Sequence, residues 1–315
     1  MLNVFLKESI HPSAIEFLQR YARILKRDEE LEWADAVLTR NLRIDSSFID
    51  KAKSLKVIGI HGTGTDGVDI ASAQVRGIEV FCTPHINAQS VAELNVALAL
   101  QLSRKLTYVR QYLQQNAPKA LQGIELMGKQ AGFLGTGEIA QRTAKILCDG
   151  FGMQANGYSP SYTLEKANGK RIAYAADLKT VLQKADYFFV CTPLNKETYN
   201  LVDAEQLTHM KQSAYLINCA RGGVVDEVAL EEALRKKKIA GAACDVFYNE
   251  PIQLQHPLLR LENFIATPHI GANTEEALYR VGMEVAQGIV QRLNGEKEVD
   301  CAGKTITVGR NQRSL

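Results

Sequence analysis

The chain has 315 residues, 46% of them hydrophobic and 23% charged, which is typical of a soluble globular protein with one large domain or, as favoured here, two ordinary ones. The net charge of +2 gives no sign of a nucleic-acid partner. No apolar run reaches the roughly 18 residues that a membrane helix needs. Residues 1–7 read as a first strand and lack the features of a secretory leader, so we expect a cytoplasmic protein.

The cysteines and histidines indicate neither a disulfide framework nor a metal site. The six cysteines are scattered without paired spacing, and the six histidines lack metal-ligand spacing. We expect reduced, buried thiols and no bound metal. Four of the cysteines lie in or at the ends of apolar strand-like runs, namely Cys82, Cys191, Cys219 and Cys244.

The first hundred residues alternate short apolar runs with amphipathic stretches, which predicts a parallel sheet covered by helices. Ser46 is expected to cap the N-terminus of its helix. The predicted strands are Val4–Leu6, Ala36–Leu38, Val57–Ile60 and Glu79–Phe81. The predicted helices are Ser13–Tyr21, Ser46–Lys53 and Asp69–Val75.

A second alternating series follows a long apolar helix, Val91–Leu106, and a polar segment, Gln114–Gly123. A final helix, Glu275–Leu293, precedes a polar tail. The predicted strands of this series are Gln130–Leu134, Met153–Tyr158, Tyr187–Cys191, Ala214–Asn218, Ala240–Asp245 and Phe264–Ala266.

The second series opens with the most informative motif of the chain. The stretch from Gln130 to Gln141 reads as a buried strand, a glycine turn and a helix start, in the pattern G-x-G-x-x-A of a dinucleotide fingerprint. Gly135 permits the tight turn, Gly137 lets the backbone approach a pyrophosphate, and Ala140 allows close packing of helix on strand. The N-terminus of the helix then offers N–H groups and a positive dipole end to the phosphates.

Because this motif lies in mid-chain, we expect a nucleotide domain inserted into another domain. The predicted architecture is α/β, with two doubly wound parallel sheets, a flavodoxin-like substrate domain and a Rossmann dinucleotide domain. The predicted boundaries are 1–98 with 286–315 for the substrate domain and 99–285 for the nucleotide domain. A cleft between two such domains is a natural place for chemistry.

Charged side chains follow three of the predicted strands, where open α/β sheets place their ligands. Arg221 stands before two glycines and can grip a carboxylate with two hydrogen bonds. Asp245 ends an apolar strand, and Glu250 precedes a proline that holds it out of helical geometry. His269 stands between a proline-preceded turn and a glycine, and a nearby carboxylate would favour its protonated form and suit it to general acid catalysis. Alone, each of these residues is more often structural.

Together, these motifs resemble those of the D-isomer-specific 2-hydroxyacid dehydrogenases, most closely the phosphoglycerate-dehydrogenase-like branch. The resemblance covers nearly the whole chain. Its supporting motifs are Leu55-Lys56-Val57-Ile58-Gly59, Gly62-Thr63-Gly64-Thr65-Asp66, Asn87-Ala88-Gln89-Ser90-Val91-Ala92-Glu93, Thr192-Pro193-Leu194 and Thr267-Pro268-His269-Ile270-Gly271.

The resemblance implies a role for each charged residue. His269 would donate a proton to the keto oxygen, Glu250 would pair with His269, and Arg221 would bind the substrate carboxylate. A homodimer formed through the nucleotide domains is also implied. The N–H groups of His61, Gly62, Thr63 and Gly64 would hold the other carboxylate oxygen. Cofactor contacts are implied at Gly135, Thr136, Gly137, Glu138, Ile139, Ser159, Thr192, Pro193, Cys219 and Asp245, the last of which would contact the nicotinamide carboxamide.

Three positions depart from the family pattern. Ser159 replaces the acid that bonds the ribose in NAD enzymes, so the cofactor is NADP or NAD with NADP favoured; the nearest bases are Lys166, Lys170 and Arg171. Ile60 replaces the arginine typical of phosphoglycerate enzymes, and the end of its strand is expected to face the cleft. His85 stands where glycine is usual, and either faces the cleft or lies in a surface loop.

We therefore expect an NAD(P)-dependent dehydrogenase or reductase of a small D-2-hydroxy or 2-keto acid, with hydroxypyruvate or glyoxylate favoured. The short stretch after the final helix is expected to leave no room for an appended regulatory domain. The alternatives are 3-phosphoglycerate as substrate, oxidation of an inorganic anion such as phosphite, and a corepressor-like protein that senses NAD(H). The absence of long disordered arms disfavours the last.

Overall fold

The structure is a computed structural model that describes residues 2–114 and 122–295. The strands are β1 (Leu2–Phe5), β2 (Ala22–Leu25), β3 (Ala36–Thr39), β4 (Val57–Ile60), β5 (Glu79–Cys82), β6 (Gln130–Leu134), β7 (Gln154–Tyr158), β8 (Ile172–Tyr174), β9 (Tyr187–Val190), β10 (Tyr215–Asn218), β11 (Gly241–Cys244) and β12 (Phe264–Ala266). The α-helices are α1 (Pro12–Gln19), α2 (Ser46–Lys51), α3 (Ile70–Val75), α4 (Ala88–Arg104), α5 (Val109–Gln114), α6 (Glu138–Phe151), α7 (Leu164–Ala167), α8 (Leu178–Lys184), α9 (Ala204–Thr208), α10 (Glu227–Arg235) and α11 (Glu275–Leu293).

The described residues form two compact units, one of residues 2–87 with 273–295 and one of residues 88–272. The first unit has a parallel sheet in the order β2-β1-β3-β4-β5, which is the flavodoxin-like order. The second has a parallel sheet in the order β12-β11-β10-β9-β6-β7-β8, which is the Rossmann order extended by one strand. The predicted fold class is confirmed.

Both sheets are buried on their two faces, as parallel sheets require. In β1, Val4 belongs to one apolar cluster and Phe5 to another, because successive side chains of a strand point to opposite faces. In β9, Phe188 and Phe189 are divided between two clusters in the same way. The helices on each side therefore have an apolar surface to cover.

The expected boundaries at 98/99 and 285/286 fall inside helices α4 and α11. The units divide instead at 87/88 and 272/273, so that each helix stays whole with the sheet it packs on. Helix α11 lies close to β4: a Cβ added to Gly59 would be 2.8 Å from Val285 Cγ2. Residues 296–315 of the expected substrate domain, and part of the polar segment 114–123, lie outside the described residues.

Three local expectations need correction. Asp45, not Ser46, caps α2, since its Oδ1 accepts the Phe48 N–H at 2.9 Å and Ser46 is already helical. Strands β2 and β8 were not expected. Both are short, and β2 lies at an edge of its sheet with the charged Arg23 in its middle, so neither shows an apolar run. None of the described helices combines the length and apolar character needed to cross a membrane.

Candidate active site

The residues expected to bind the cofactor lie at the carboxyl ends of adjacent strands in the second unit. In sheet order they are Asp245 after β11, Cys219 after β10, Thr192 and Pro193 after β9, residues 135–139 after β6, and Ser159 after β7. The strand order reverses between β9 and β6. Open α/β sheets bind their ligands at such a point, because the connections on its two sides run to opposite faces and leave a crevice.

The glycine turn after β6 has the geometry that a pyrophosphate site requires. Gly135 has a φ of +91°, and a Cβ there would lie 2.4 Å from the carbonyl oxygen of Cys191, so only glycine fits. Gly137 precedes α6 and supplies no side-chain cap to the helix. A Cβ on Gly137 would meet no described atom within 4 Å. An uncapped helix N-terminus beside open space fits an anionic dinucleotide.

The two glycines should respond differently to alanine. In Gly135→Ala the Cβ clash costs about 1–3 kcal/mol, with about 1–2 kcal/mol more for the positive φ, so the Tm should fall. Gly137→Ala has a φ of −72° and free space, so its Tm should stay unchanged. Its cofactor Kd should rise roughly 10- to 150-fold, because the added methyl group would keep the pyrophosphate away from the backbone. That factor is the value of one lost hydrogen bond to a charged group. Thermal unfolding and NADPH and NADH titrations check both; a Gly137→Ala protein with parental Kd would contradict the assignment.

The end of β7 carries the hydroxyl side chain of Ser159, at the position where the resemblance implies a ribose-binding acid in NAD enzymes. Ser159 Oγ lies 3.2 Å from Thr136 Oγ1, so these two side chains face each other across the glycine turn. Glu138, in the first turn of α6, is paired with Arg142. The carboxylate nearest in sequence to the turn is thus neutralised by its own helix, and the Ser159 position presents no negative charge.

The three basic residues named as candidates for a 2′-phosphate have different partners. Lys166 and Lys170 both contact the turn of residues 159–162, whereas Arg171 is paired with Asp149. The contacts are Lys166 Nζ to the Ser161 carbonyl at 2.7 Å, Lys170 Nζ 5.8 Å from the centroid of the Tyr162 ring, and Arg171 Nε to Asp149 Oδ1 at 2.7 Å.

Arg221 lies in a loop that is fixed from both sides. Asn218, buried at the end of β10, donates from Nδ2 to the Arg221 carbonyl at 3.0 Å and accepts the Ala220 N–H on Oδ1 at 3.0 Å. A Cβ on Gly222 would lie 2.0 Å from the Phe247 carbonyl carbon and oxygen. The loop after β10 therefore touches the loop after β11, and this contact brings Arg221 toward Glu250.

His269 and Glu250 are joined by a short hydrogen bond. His269 Nδ1 lies 2.6 Å from Glu250 Oε2, and Glu250 Oε1 accepts the Phe247 N–H at 2.9 Å. Burial acts to raise the pKa of Glu250, but the bonds from His269 and Phe247, together with the charges of His269 and Arg221, outweigh it and hold that pKa below its ordinary value. Glu250 is thus a carboxylate that fixes one ring nitrogen and leaves Nε2 for a substrate.

Asp245 braces the loop that carries His269. Its Oδ1 accepts the Thr267 hydroxyl at 2.6 Å and the Ile270 N–H at 2.8 Å, and its Oδ2 accepts the Gly271 N–H at 2.8 Å. Burial raises the pKa of Asp245, against the effect of these hydrogen bonds. The structure gives Asp245 a role that the resemblance did not suggest; the contact with a nicotinamide carboxamide stays a prediction.

In the first unit, the loop after β4 offers fewer free donors than expected. The His61 N–H donates to the Thr39 carbonyl at 2.7 Å, and the Gly62 N–H lies 2.9 Å from the Ile60 carbonyl and 3.0 Å from Thr83 Oγ1. Two of the four expected carboxylate ligands are therefore used within the fold. The loop donors without a hydrogen bond in the described part of the chain are the N–H groups of Thr63 and Gly64.

The side chain of Ile60 is buried, although the end of β4 was expected to face the cleft. It is 3% exposed and shares an apolar cluster with Ile58, two residues earlier on the same face of the strand. The His61 side chain is also buried, and burial lowers its pKa, which favours the neutral ring. Its Nε2 has no hydrogen-bond partner among the described residues.

His85 is exposed and has a φ of +69°. That left-handed conformation favours glycine, which accounts for the residue usual at this position in the family that the chain resembles. Both alternatives for His85 remain predictions, because an exposed side chain fits either one.

Two further residues organise the site, Asn218 and Thr267, and the sequence alone indicated no role for either side chain. Both stand at or just after the end of a parallel strand, and both hydrogen-bond a functional loop rather than a ligand. A buried amide at the last position of an otherwise apolar strand was the available signal, because such a group needs partners within the fold.

Comparison with known proteins gives a consistent family. The model of the D-isomer specific 2-hydroxyacid dehydrogenase NAD binding domain matches residues 96–271. D-3-phosphoglycerate dehydrogenase of Methanocaldococcus jannaschii is 37% identical over 307 residues, which cover 94% of this chain but 58% of that protein. Hydroxypyruvate reductase of Thermotoga maritima is 35% identical, with 88% of this chain and 92% of the relative covered.

Among solved structures, the NADPH-dependent glyoxylate/hydroxypyruvate reductase of Sinorhizobium meliloti, in complex with NADP and malonate, superposes with a TM-score of 0.82 at 25% identity, covering 97% of this chain and 96% of that one. The family model spans more than half of this chain and includes the glycine turn, Arg221, Glu250 and His269. The chain belongs to the D-isomer specific 2-hydroxyacid dehydrogenase family.

Proposed function

We propose that this protein is an NAD(P)-dependent oxidoreductase that transfers hydride between a nicotinamide cofactor and a small D-2-hydroxy or 2-keto acid. The observation that carries the proposal is the 2.6 Å pair of His269 and Glu250, in the same unit as Arg221 and an uncapped glycine turn. A dinucleotide site alone would fit many functions. A histidine held by a carboxylate, beside an arginine, adds the groups needed to protonate a keto acid and to bind its carboxylate.

The proposed roles follow from the contacts. His269 donates a proton from Nε2 to the keto oxygen, because Glu250 holds Nδ1 and fixes the orientation of the ring. Arg221 binds the substrate carboxylate through its guanidinium fork. The free N–H groups of Thr63 and Gly64 are proposed to hold the remaining carboxylate oxygen. When bound, the reduced cofactor supplies the hydride, while the chain supplies orientation, charge and one proton.

We propose hydroxypyruvate or glyoxylate, rather than phosphohydroxypyruvate, as the preferred kind of substrate. Ile60 is buried and uncharged, and burial favours the neutral form of His61, so neither offers a cation to a phosphate. Steady-state assays in both directions with either cofactor test the proposal, and turnover with any 2-keto acid also separates an enzyme from a corepressor-like protein.

The expected result is a kcat/KM for hydroxypyruvate or glyoxylate above that for phosphohydroxypyruvate under identical conditions. An advantage of about tenfold (~1.4 kcal/mol) or more for the phosphorylated acid would contradict the substrate proposal and favour 3-phosphoglycerate dehydrogenase as the function. In that case Arg40→Ala tests whether Arg40 is the cation that binds the phosphate. The charge of Arg40 acts on His61, and its Nη2 lies 3.4 Å from Asn273 Oδ1 in the first unit.

We further propose that NADPH is preferred to NADH. Ser159 and Thr136 present hydroxyls where an acid would repel a 2′-phosphate, and Lys166 is attached to the same turn. Ser159→Asp should shift preference toward NADH by roughly 1–3 kcal/mol, because a phosphate is repelled and a ribose acceptor is gained. Lys166→Met should weaken the binding of NADPH but not that of NADH, with Arg171→Met as the matched control, because Arg171 is already paired with Asp149. A strong NADH preference in the parent protein, measured by titration of both cofactors, would overturn this proposal.

A homodimer and a cytoplasmic location complete the proposal. The homodimer is implied by the family resemblance, and the cytoplasmic location is inferred from cysteines that are expected to be reduced. Five of the six cysteines lie in the described residues, and all five are free thiols. Sedimentation equilibrium of the full chain checks the dimer; a monomer at concentrations well above those of the assay would contradict it.

A further inference from the structure

Glu227, the first residue of α10, makes two contacts outside its own helix. Its Oε1 accepts the N–H of Tyr248 at 2.5 Å, and its Oε2 lies 3.1 Å from His256 Nε2. The side chain of Glu227 is only 18% exposed and that of His256 25%. The Glu227 carboxylate therefore connects separate segments of the chain, because its partners are a backbone amide 21 residues away and an imidazole 29 residues away.

The segment that Glu227 contacts through Tyr248 is the loop that carries Glu250. Its two successive amides have different acceptors: the Phe247 N–H bonds Glu250 Oε1 at 2.9 Å, and the Tyr248 N–H bonds Glu227. The other oxygen of Glu250 holds His269. A chain of hydrogen bonds thus runs from α10 through two neighbouring peptide groups to the proposed proton donor.

His256 reinforces this arrangement. Its Nδ1 is buried and has no hydrogen-bond partner in the described part of the chain, so Glu227 is the polar group that holds the ring there. The ring also meets the side chain of Phe247 edge-on, with centroids 6.0 Å apart. Loss of the Glu227 carboxylate would leave the Tyr248 amide and the imidazole without an acceptor. Because an unsatisfied donor is costly, the loop should then move to reach another acceptor or solvent.

We propose that Glu227 is a positioning residue, which sets the Phe247–Glu250 loop so that Glu250 meets Nδ1 of His269. This inference rests on the proposed roles of Glu250 and His269. Glu227 is assigned no contact with substrate or cofactor, and it affects the reaction through the position of Glu250. The peptide group of Phe247 and Tyr248 also packs against Gly222, where an added Cβ would lie 2.0 Å from the Phe247 carbonyl oxygen and 2.6 Å from the Tyr248 nitrogen.

The test compares Glu227→Ala and Glu227→Gln with Glu250→Gln and with the matched control Glu232→Ala. Glu232 lies on the same helix, has a side chain that is 46% exposed, and pairs with Lys236. The first readout is modification of His269 by diethyl pyrocarbonate, which attacks the unprotonated ring, mapped by peptide mass spectrometry as a function of pH. This readout needs no turnover. The second is the pH profile of kcat/KM for keto-acid reduction, with cofactor Kd measured separately.

In Glu250→Gln the imidazole loses the carboxylate that holds Nδ1, so the midpoint of modification should move away from the parental value. Glu227→Ala should move it in the same direction by a smaller amount, lower kcat several-fold and leave cofactor Kd unchanged. Glu227→Gln should retain most parental behaviour, because its amide oxygen still accepts the Tyr248 N–H. Glu232→Ala should match the parent.

A parental midpoint in Glu227→Ala, with a shifted midpoint in Glu250→Gln, would overturn the inference and leave the His269–Glu250 pair intact. A parental midpoint in both variants would refute the pair itself, and with it the proposed function. If Glu227→Ala fails to fold, Glu227→Asp gives the same comparison. It keeps the charge but shortens the reach by one methylene group, so a parental midpoint there would also count against the inference.

Discussion

Replacing His269 with glutamine should lower kcat for keto-acid reduction by about 10²–10⁴-fold, the range in which general acids contribute. Glutamine keeps a polar side chain of similar reach but cannot carry a transferable proton at neutral pH. The affinity for NADPH or NADH should stay close to the parental value, because the glycine turn after β6 is untouched. Single-turnover and steady-state kinetics, with cofactor titration by fluorescence, measure the two effects separately.

A kcat within about threefold of the parent would remove His269 as the proton donor. A loss of cofactor binding together with activity would instead indicate that the loop from Thr267 to Gly271 had collapsed. The Asp245 bonds to Thr267, Ile270 and Gly271 argue against that outcome, because they hold the loop without using the His269 side chain.

Replacing Arg221 with methionine should lower kcat/KM for 2-keto acids by roughly 10²–10⁴-fold, since two charge-assisted hydrogen bonds to the carboxylate, each about 1.5–3 kcal/mol, would be lost. Arg221→Lys should fall between parent and methionine, because lysine keeps the charge but not the planar fork. The loop should persist in both variants, because Asn218 bonds its backbone rather than the guanidinium.

The matched substrate for this comparison is glycolaldehyde, which is hydroxypyruvate without its carboxylate. The parent and the Arg221→Met variant should reduce it at similar, slow rates, since the group that Arg221 binds is missing. An Arg221→Met protein that loses as much activity toward glycolaldehyde as toward hydroxypyruvate would show that Arg221 does not act through the carboxylate.

The sequence by itself determined the elements that rest on local patterns. The apolar run and glycine turn at Gln130–Gly137 predicted β6 and the start of α6, because a strand, a positive φ and a helix N-terminus each have a local composition. The last described helix, Glu275–Leu293, was predicted to its end residues from its apolar periodicity. Arg221, Glu250 and His269 were found because each follows a predicted strand of a parallel sheet.

Only the tertiary structure decided which partner each polar group takes. The end of β4 was expected to face the cleft, yet the side chain of Ile60 packs into the core with Ile58, because the faces of β4 are assigned by the helices that cover them. Asp245 braces the His269 loop, and Glu227 reaches Tyr248 and His256, through bonds that span more than twenty residues. Such contacts leave no local pattern in a sequence, since a hydrogen bond between distant segments depends on where the whole sheet places their backbones.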